Sequence, residues 1–181
     1  MESGQRFLVV EFPSRQFIFT RFTAAHPLCT IDVILDQVQA RPGGAVHPAT
    51  FLVKGSPWLE LRGLLDELER LHGPVQVLRR EASGLSWLCH LDFNEKHLGS
   101  DGAALQRLQS QFGPPWLHHE QGVCLLRARL PRGADGEALA ARLGEALRQT
   151  GVEAQVDIIT LAPRDDGVWE ELLQASSGRA L

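Results

Sequence analysis

Trp87-Leu88-Cys89-His90-Leu91-Asp92-Phe93, followed by Asp101–Phe112 and then Gly113-Pro114, is the stretch on which the fold turns. Successive side chains of a strand point to opposite faces, so Trp87, Cys89, Leu91 and Phe93 share one side and Leu88, His90 and Asp92 the other. The apolar period then changes. Leu105, Leu108 and Phe112 recur at threes and fours, which makes 101–112 an amphipathic helix with Gly113-Pro114 as its stop. Pro115–Glu120 follows as a second extended segment. The unit is strand–helix–strand.

Moving outward, the same unit occurs on both sides. Upstream, Thr50–Lys54 leads into a helix with Ser56 as N-cap and Pro57 at its first position. Trp58, Leu61, Leu64, Leu65, Leu68 and Leu71 form its buried stripe, Gly73-Pro74 closes it, and Val75–Arg80 is extended. Downstream, Val123–Leu130 leads into a helix capped by Asp135, carrying Leu139, Leu143 and Leu147 and ending at Gly151, before Val152–Leu161. Gly84 and Gly122 join the units as tight turns, implying antiparallel hairpins. The expected fold is therefore α+β, an antiparallel sheet with helices on one face, built from tandem ferredoxin-like (ACT-like) βαβ units. Arg6–Phe12 and Gln16–Phe22 read as a hairpin around Pro13-Ser14-Arg15, and Ile31–Gln39 as a partner for Thr50–Lys54 after the Pro42-Gly43-Gly44 turn. Val168–Gln174 is a short helix in the tail. The expected division is 1–84 (N-terminal strands and first unit), 85–162 (a βαββαβ unit) and a tail, 163–181.

Composition removes several classes of function. The 181 residues are 44% hydrophobic, enough for a substantial core, with net charge −4 and pI near 6.0. Lys54 and Lys96 are the only lysines and the arginines are scattered among carboxylates, so no basic face for nucleic acid is expected. Cys29, Cys89 and Cys124 are odd in number and far apart, unlike a disulfide framework. Without a signal-peptide pattern or an apolar run of the roughly 20 residues that span a bilayer, a cytoplasmic, non-membrane protein with reduced thiols is expected.

His118-His119-Glu120 is the most metal-like string. Alternation lets His118 and Glu120 share a ligand but sends His119 to the other face, and no convergent set completes a zinc site. Cys89 falls on the inward face, away from His90, and reads as a core thiol. His26-Pro27-Leu28-Cys29 offers a thiol beside an imidazole, but no third residue orients them. Phosphate loops, nucleophile elbows and zinc-protease motifs are absent. No catalytic residue, metal or cofactor is expected. Candidate ligand-binding residues are His90, Asp92, Arg127 and Arg129, outward on two long strands, together with His118.

The stretch Asp32-Val33-Ile34-Leu35-Asp36-Gln37-Val38, a Pro/Gly-rich turn, and then His47-Pro48-Ala49-Thr50-Phe51-Leu52-Val53-Lys54-Gly55 before a helix resembles the N-terminal sensory region of bacterio-opsin activator-type helix-turn-helix regulators. Pro27-Leu28 and the unit Gly122–Leu161 are similar to further features of that region. The family's DNA-reading helix-turn-helix has no counterpart after Leu161, so no DNA contact is carried over. The resemblance implies a non-enzymatic regulatory or sensory domain that binds a small molecule or a protein partner, as a homodimer. Two rival expectations are a dimeric α/β-barrel-type enzyme using His90, His118 and Arg127, and a purely structural interaction module.

Overall fold

The computed structural model describes residues 4–11, 17–81, 85–98, 100–149, 151, 155–161 and 163–177. Its elements in chain order are β1 (Gln5–Glu11), α1 (Ile18–Ala25), β2 (Thr30–Leu35), β3 (Gln39–Arg41), β4 (Gly44–Lys54), α2 (Trp58–His72), β5 (Gln76–Arg80) and β6 (Ser86–Asn94). A 3₁₀ turn (Glu95–His97), α3 (Ser100–Phe112), β7 (Trp116–Glu120), β8 (Val123–Arg129), α4 (Gly136–Gln149), β9 (Asp157–Leu161) and α5 (Pro163–Ser177) complete it. Among the described residues the nine strands form one antiparallel sheet, ordered β5-β6-β4-β2-β7-β8-β1-β9, with β3 paired to β4. None of the described helices is long and apolar enough to cross a membrane.

The three helices of the repeated unit appear as α2, α3 and α4. Asp135 caps α4 through Oδ1, which accepts from the N–H groups of Glu137 and Ala138 at 3.1 and 3.2 Å. In α2 the N-cap is Pro57 rather than Ser56, and no side chain caps it. The β7–β8 hairpin turns on Gln121 and Gly122, both at positive φ (49° and 79°), the conformation a two-residue type I′ turn requires. Gly84 and Pro13-Ser14-Arg15 lie outside the described residues.

Two differences from expectation concern the ends. Residues 18–22, read as part of a strand, are helical. Ile18, Phe19, Thr20 and Thr23 are all buried, and such consecutive burial fits a short helix wedged into a core and not a half-buried strand. The tail helix is twice the expected length and lies on the wrong side for a one-sided layer. Leu61, Leu64 and Leu68 of α2, Leu105 and Leu108 of α3, Leu143 and Leu147 of α4 and Phe19 of α1 pack on the face made by Leu8, Val33, Phe51, Cys89, Leu91, Phe93 and Leu126. Trp169 and Leu172 of α5 pack on the opposite face, against Phe7, Ile34, Leu52, Leu88 and Trp116. Those apolar side chains on the outer face are what α5 covers.

Residues 85–162 do not close a sheet of their own. β6 pairs with β5 and β4, whereas β7 and β8 lie beyond β2. The chain connectivity explains this: β4–α2–β5 is a split crossover with β6 between its strands, and β8–α4–β9 is another with β1 between. β2 joins the two, pairing with β4 as expected on one side (Ile31↔Val53) and with β7 on the other (Asp32↔His118).

Candidate functional site

The face covered by α5 carries the outward residues of every strand, and its polar groups collect in two places. The better built lies at β2, β7 and β8. Ile31-Asp32-Val33-Ile34-Leu35 is apolar but for Asp32, which is 4% exposed. A buried carboxylate must be paired or hydrogen-bonded. The β2–β7 register sets His118 directly opposite Asp32, with Trp116 two residues back on the same face. Asp32 Oδ1 accepts from Trp116 Nε1–H at 2.7 Å and from His118 Nδ1 at 2.6 Å. His118 Nε2 reaches Glu120 Oε2 at 3.2 Å, so the imidazole is bracketed by two carboxylates. Arg127 stands opposite Trp116 on β8 and lays its guanidinium over the indole, 4.5 Å from the ring centre. The indole also stacks on Trp169 of α5, centroids 5.7 Å apart.

Burial alone disfavours an imidazolium at position 118. The hydrogen bond and charge of Asp32, with Glu120 behind, outweigh that burial and the repulsion of Arg127, and hold His118 above its ordinary value. Carboxylates at both nitrogens hold the ring in place and favour its protonated form. His119 faces the other way into the α1 side. It is fully buried, its Nδ1 is 3.2 Å from Thr20 Oγ1, its ring lies parallel to Phe17, and burial pushes it down to about 3. The alternation read from the sequence therefore separates the adjacent histidines as expected.

The second cluster is at β6. His90 Nε2 lies 3.2 Å from Asp92 Oδ1, and Arg41 approaches the other Asp92 oxygen at 3.9 Å. Thr50 faces His90 across the β4–β6 ladder. Thr50 Oγ1 and His90 Nδ1 are both buried without a hydrogen-bond partner among the described residues. Three strands separate β6 from β8, four inter-strand steps, or roughly 19 Å at about 4.8 Å each. The proposed set is thus divided: His90 and Asp92 at one end, His118 and Arg127 at the other, with Arg129 exposed beside them opposite Phe7.

The cysteines are all buried, and burial, the main cause for both, pushes the Cys29 and Cys89 thiols up to about 12, out of reach of a thiolate at neutral pH. Among the described residues no three His, Cys, Asp or Glu side chains converge as metal ligands. Sequence reading missed the roles of Asp32 and Trp116. The available signal was a single carboxylate inside an apolar strand, which has to find a donor somewhere. No family model matches the chain, and no curated protein matches it.

Proposed function

We propose that this chain is a non-enzymatic regulatory or sensory domain that binds a small polar or anionic molecule at the Trp116–His118–Arg127 group on the face of the sheet that α5 covers. What carries the reading is the double engagement of His118. A general base needs a free nitrogen, and both nitrogens of this ring are committed to carboxylates. The same constraint fixes the ring next to the Arg127 guanidinium and favours its charged form, a pairing suited to charge-assisted recognition. The separation of His90 from His118 and Arg127 disfavours the enzymatic alternative, which needs the three in one pocket.

The finer fold reading belongs to the same proposal. Each split crossover is half of a ferredoxin-like arrangement, and the insertion of β2 between β4 and β7 makes the pair a variant of the tandem, ACT-like theme. Kinship with the sensory region of bacterio-opsin activator-type regulators, action in the cytoplasm and assembly as a homodimer fit this reading, and light scattering tests the last. The test of function is a thermal-shift panel of amino acids, small carboxylates and inorganic anions. Ligand that binds only the native state raises the midpoint by mass action. A compound-specific rise that disappears in Arg127→Ala and His118→Gln supports the proposal; a panel without any rise, or rises indifferent to both substitutions, refutes it.

A further inference from the structure

We propose that the apolar patch made by Leu28, Trp58, Leu59 and Leu85 is a docking surface for an acidic peptide segment of another protein, one whose apolar side chains are flanked by carboxylates. The patch shares no residue with the Trp116–His118–Arg127 group, so it stands or falls separately from the function proposed above.

Three segments meet at this end of the sheet: the loop between α1 and β2, the start of α2 and the start of β6. Gly55 holds them together. Its N–H donates to Leu85 O at 2.9 Å, and a Cβ on it would come within 2.2 Å of Leu28 O, so the loop lies directly against the entry to α2. His26 Nδ1, 3.3 Å from Glu60 Oε2, fastens the same loop to the first turn of that helix. Behind the patch, Trp58 packs against Trp87 with centroids 5.2 Å apart, and the Arg80 guanidinium lies 5.0 Å from the Trp87 ring centre. Leu28 is 90% and Leu59 81% exposed; with Trp58 and Leu85 they are four of the eight large hydrophobic side chains that the described residues expose. Exposed leucines scattered singly are ordinary, but half of such a set gathered at one end marks an interaction surface.

The surrounding charge selects the partner. Arg80 borders the two indoles, Lys54 precedes Gly55, and Arg62 stands one turn along α2 from Trp58 and Leu59. None of the three is paired with a carboxylate among the described residues. The nearby carboxylates are already engaged, Glu60 by His26 and Glu81 by Arg79. The uncompensated charge around the patch is therefore positive, on a chain whose net charge is −4. A second copy docked about a two-fold axis would bring two such cationic rims together, and an anionic bilayer would meet the negative charge of the whole chain. A short acidic segment meets only the rim. Its carboxylates can form charge-assisted hydrogen bonds there while its apolar side chains cover Leu28 and Leu59. Tryptophan beside arginine is also the pairing that protein–protein hot spots favour.

The probe is a library of random short peptides displayed on phage and selected against the immobilised full chain. Enriched peptides should carry Leu, Phe or Trp flanked by Asp or Glu. One of them, synthesised and titrated into the ¹⁵N-labelled chain, should give saturable amide shifts centred on Leu28, Gly55–Arg62 and Leu85–Trp87. Leu28→Ser and Leu59→Ser, at exposed positions that the fold tolerates, should each weaken it by about tenfold, as should Lys54→Glu, Arg62→Glu or amides in place of its carboxylates. Enrichment of neutral or basic peptides, no enrichment, or an affinity unchanged in both serine variants overturns the site. So does a dimer in light scattering that Leu59→Ser dissolves, which makes a second copy the occupant. Adsorption to phosphatidylserine vesicles that Leu28→Ser abolishes overturns it in favour of a membrane.

Discussion

Asp32 and His118 face each other across the β2–β7 ladder, and the Asp32 oxygen that bonds His118 also holds Trp116. One buried carboxylate thereby positions two residues of β7 and, through the Trp116–Trp169 stack, the helix that covers them. Asp32→Ala should cost about 3 kcal/mol, because it leaves an indole N–H and an imidazolium without their acceptor. Asp32→Asn, which keeps an acceptor and loses the charge, should cost less and lower the His118 pKa. Urea unfolding and histidine NMR titration read the two effects.

Stability should peak near neutral pH and fall on both sides for different histidines. His118 is raised above 6.5 in the folded state. Its contribution is full below the unfolded value of 6.5 and is lost as pH rises from there through the folded value. His72 and His119 are depressed from 6.5 to about 4 and about 3, chiefly by burial. They must stay neutral to remain folded, so their contribution is present above 6.5 and declines as pH falls toward those values, with a slope of about 1.4 kcal/mol per pH unit each. In His118→Gln the alkaline decline should shrink while the acid limb stays unchanged.

Substitutions in α5 should separate packing from polarity. Leu172 is fully buried, and Leu172→Ala should cost about 3 kcal/mol. Trp169 packs on Phe7 and Trp116, yet its buried Nε1–H has no partner among the described residues. Trp169→Phe should therefore cost no more than about 1.5 kcal/mol, since the lost packing is offset by removal of an unsatisfied donor. Breaking the Arg79–Glu171 ion pair by Arg79→Ala should cost under about 1 kcal/mol, as for other part-exposed pairs.

Two glycines should respond in opposite senses to alanine. Gly122 has φ 79°, and a Cβ there would come within 2.9 Å of Ala24 Cβ, so Gly122→Ala should destabilise by more than about 1 kcal/mol. Gly63, exposed in the middle of α2 with nothing near the added atom, should gain about 0.5–1 kcal/mol as alanine. Thermal midpoints read both.

The three thiols should be silent in the native protein. Cys29, Cys89 and Cys124 are buried, so an aromatic disulfide reagent should label them only at the rate of opening and rapidly in denaturant. Fast labelling of any one under native conditions contradicts that packing.

Much of the scaffold was legible because it rests on local periods. The Trp87–Phe93 alternation, the leucine stripes of α2 and α4 and the Gln121-Gly122 turn each announce themselves within a dozen residues. The candidate site was less so. His118 was visible, but the Asp32 that governs it is 86 residues away in sequence, and only strand order brings them together. Strand order also parts His90 from Arg127, since nothing local says that β2 enters between β4 and β7. Residues 18–22 misled for another reason: aromatic and β-branched side chains favour strands intrinsically, and burial of Ile18, Phe19 and Thr20 in succession made the segment helical here.

The placement of β1 has a consequence for how the molecule is made. Gln5 pairs with Leu161 and Phe7 with Arg129, so β1 is held in the sheet only by strands that are synthesised long after it. Until then its apolar side chains have no permanent home, and closing so long a loop makes the final step slow. Nascent chains stalled before residue 123, where β8 begins, should therefore be the ones that chaperones hold.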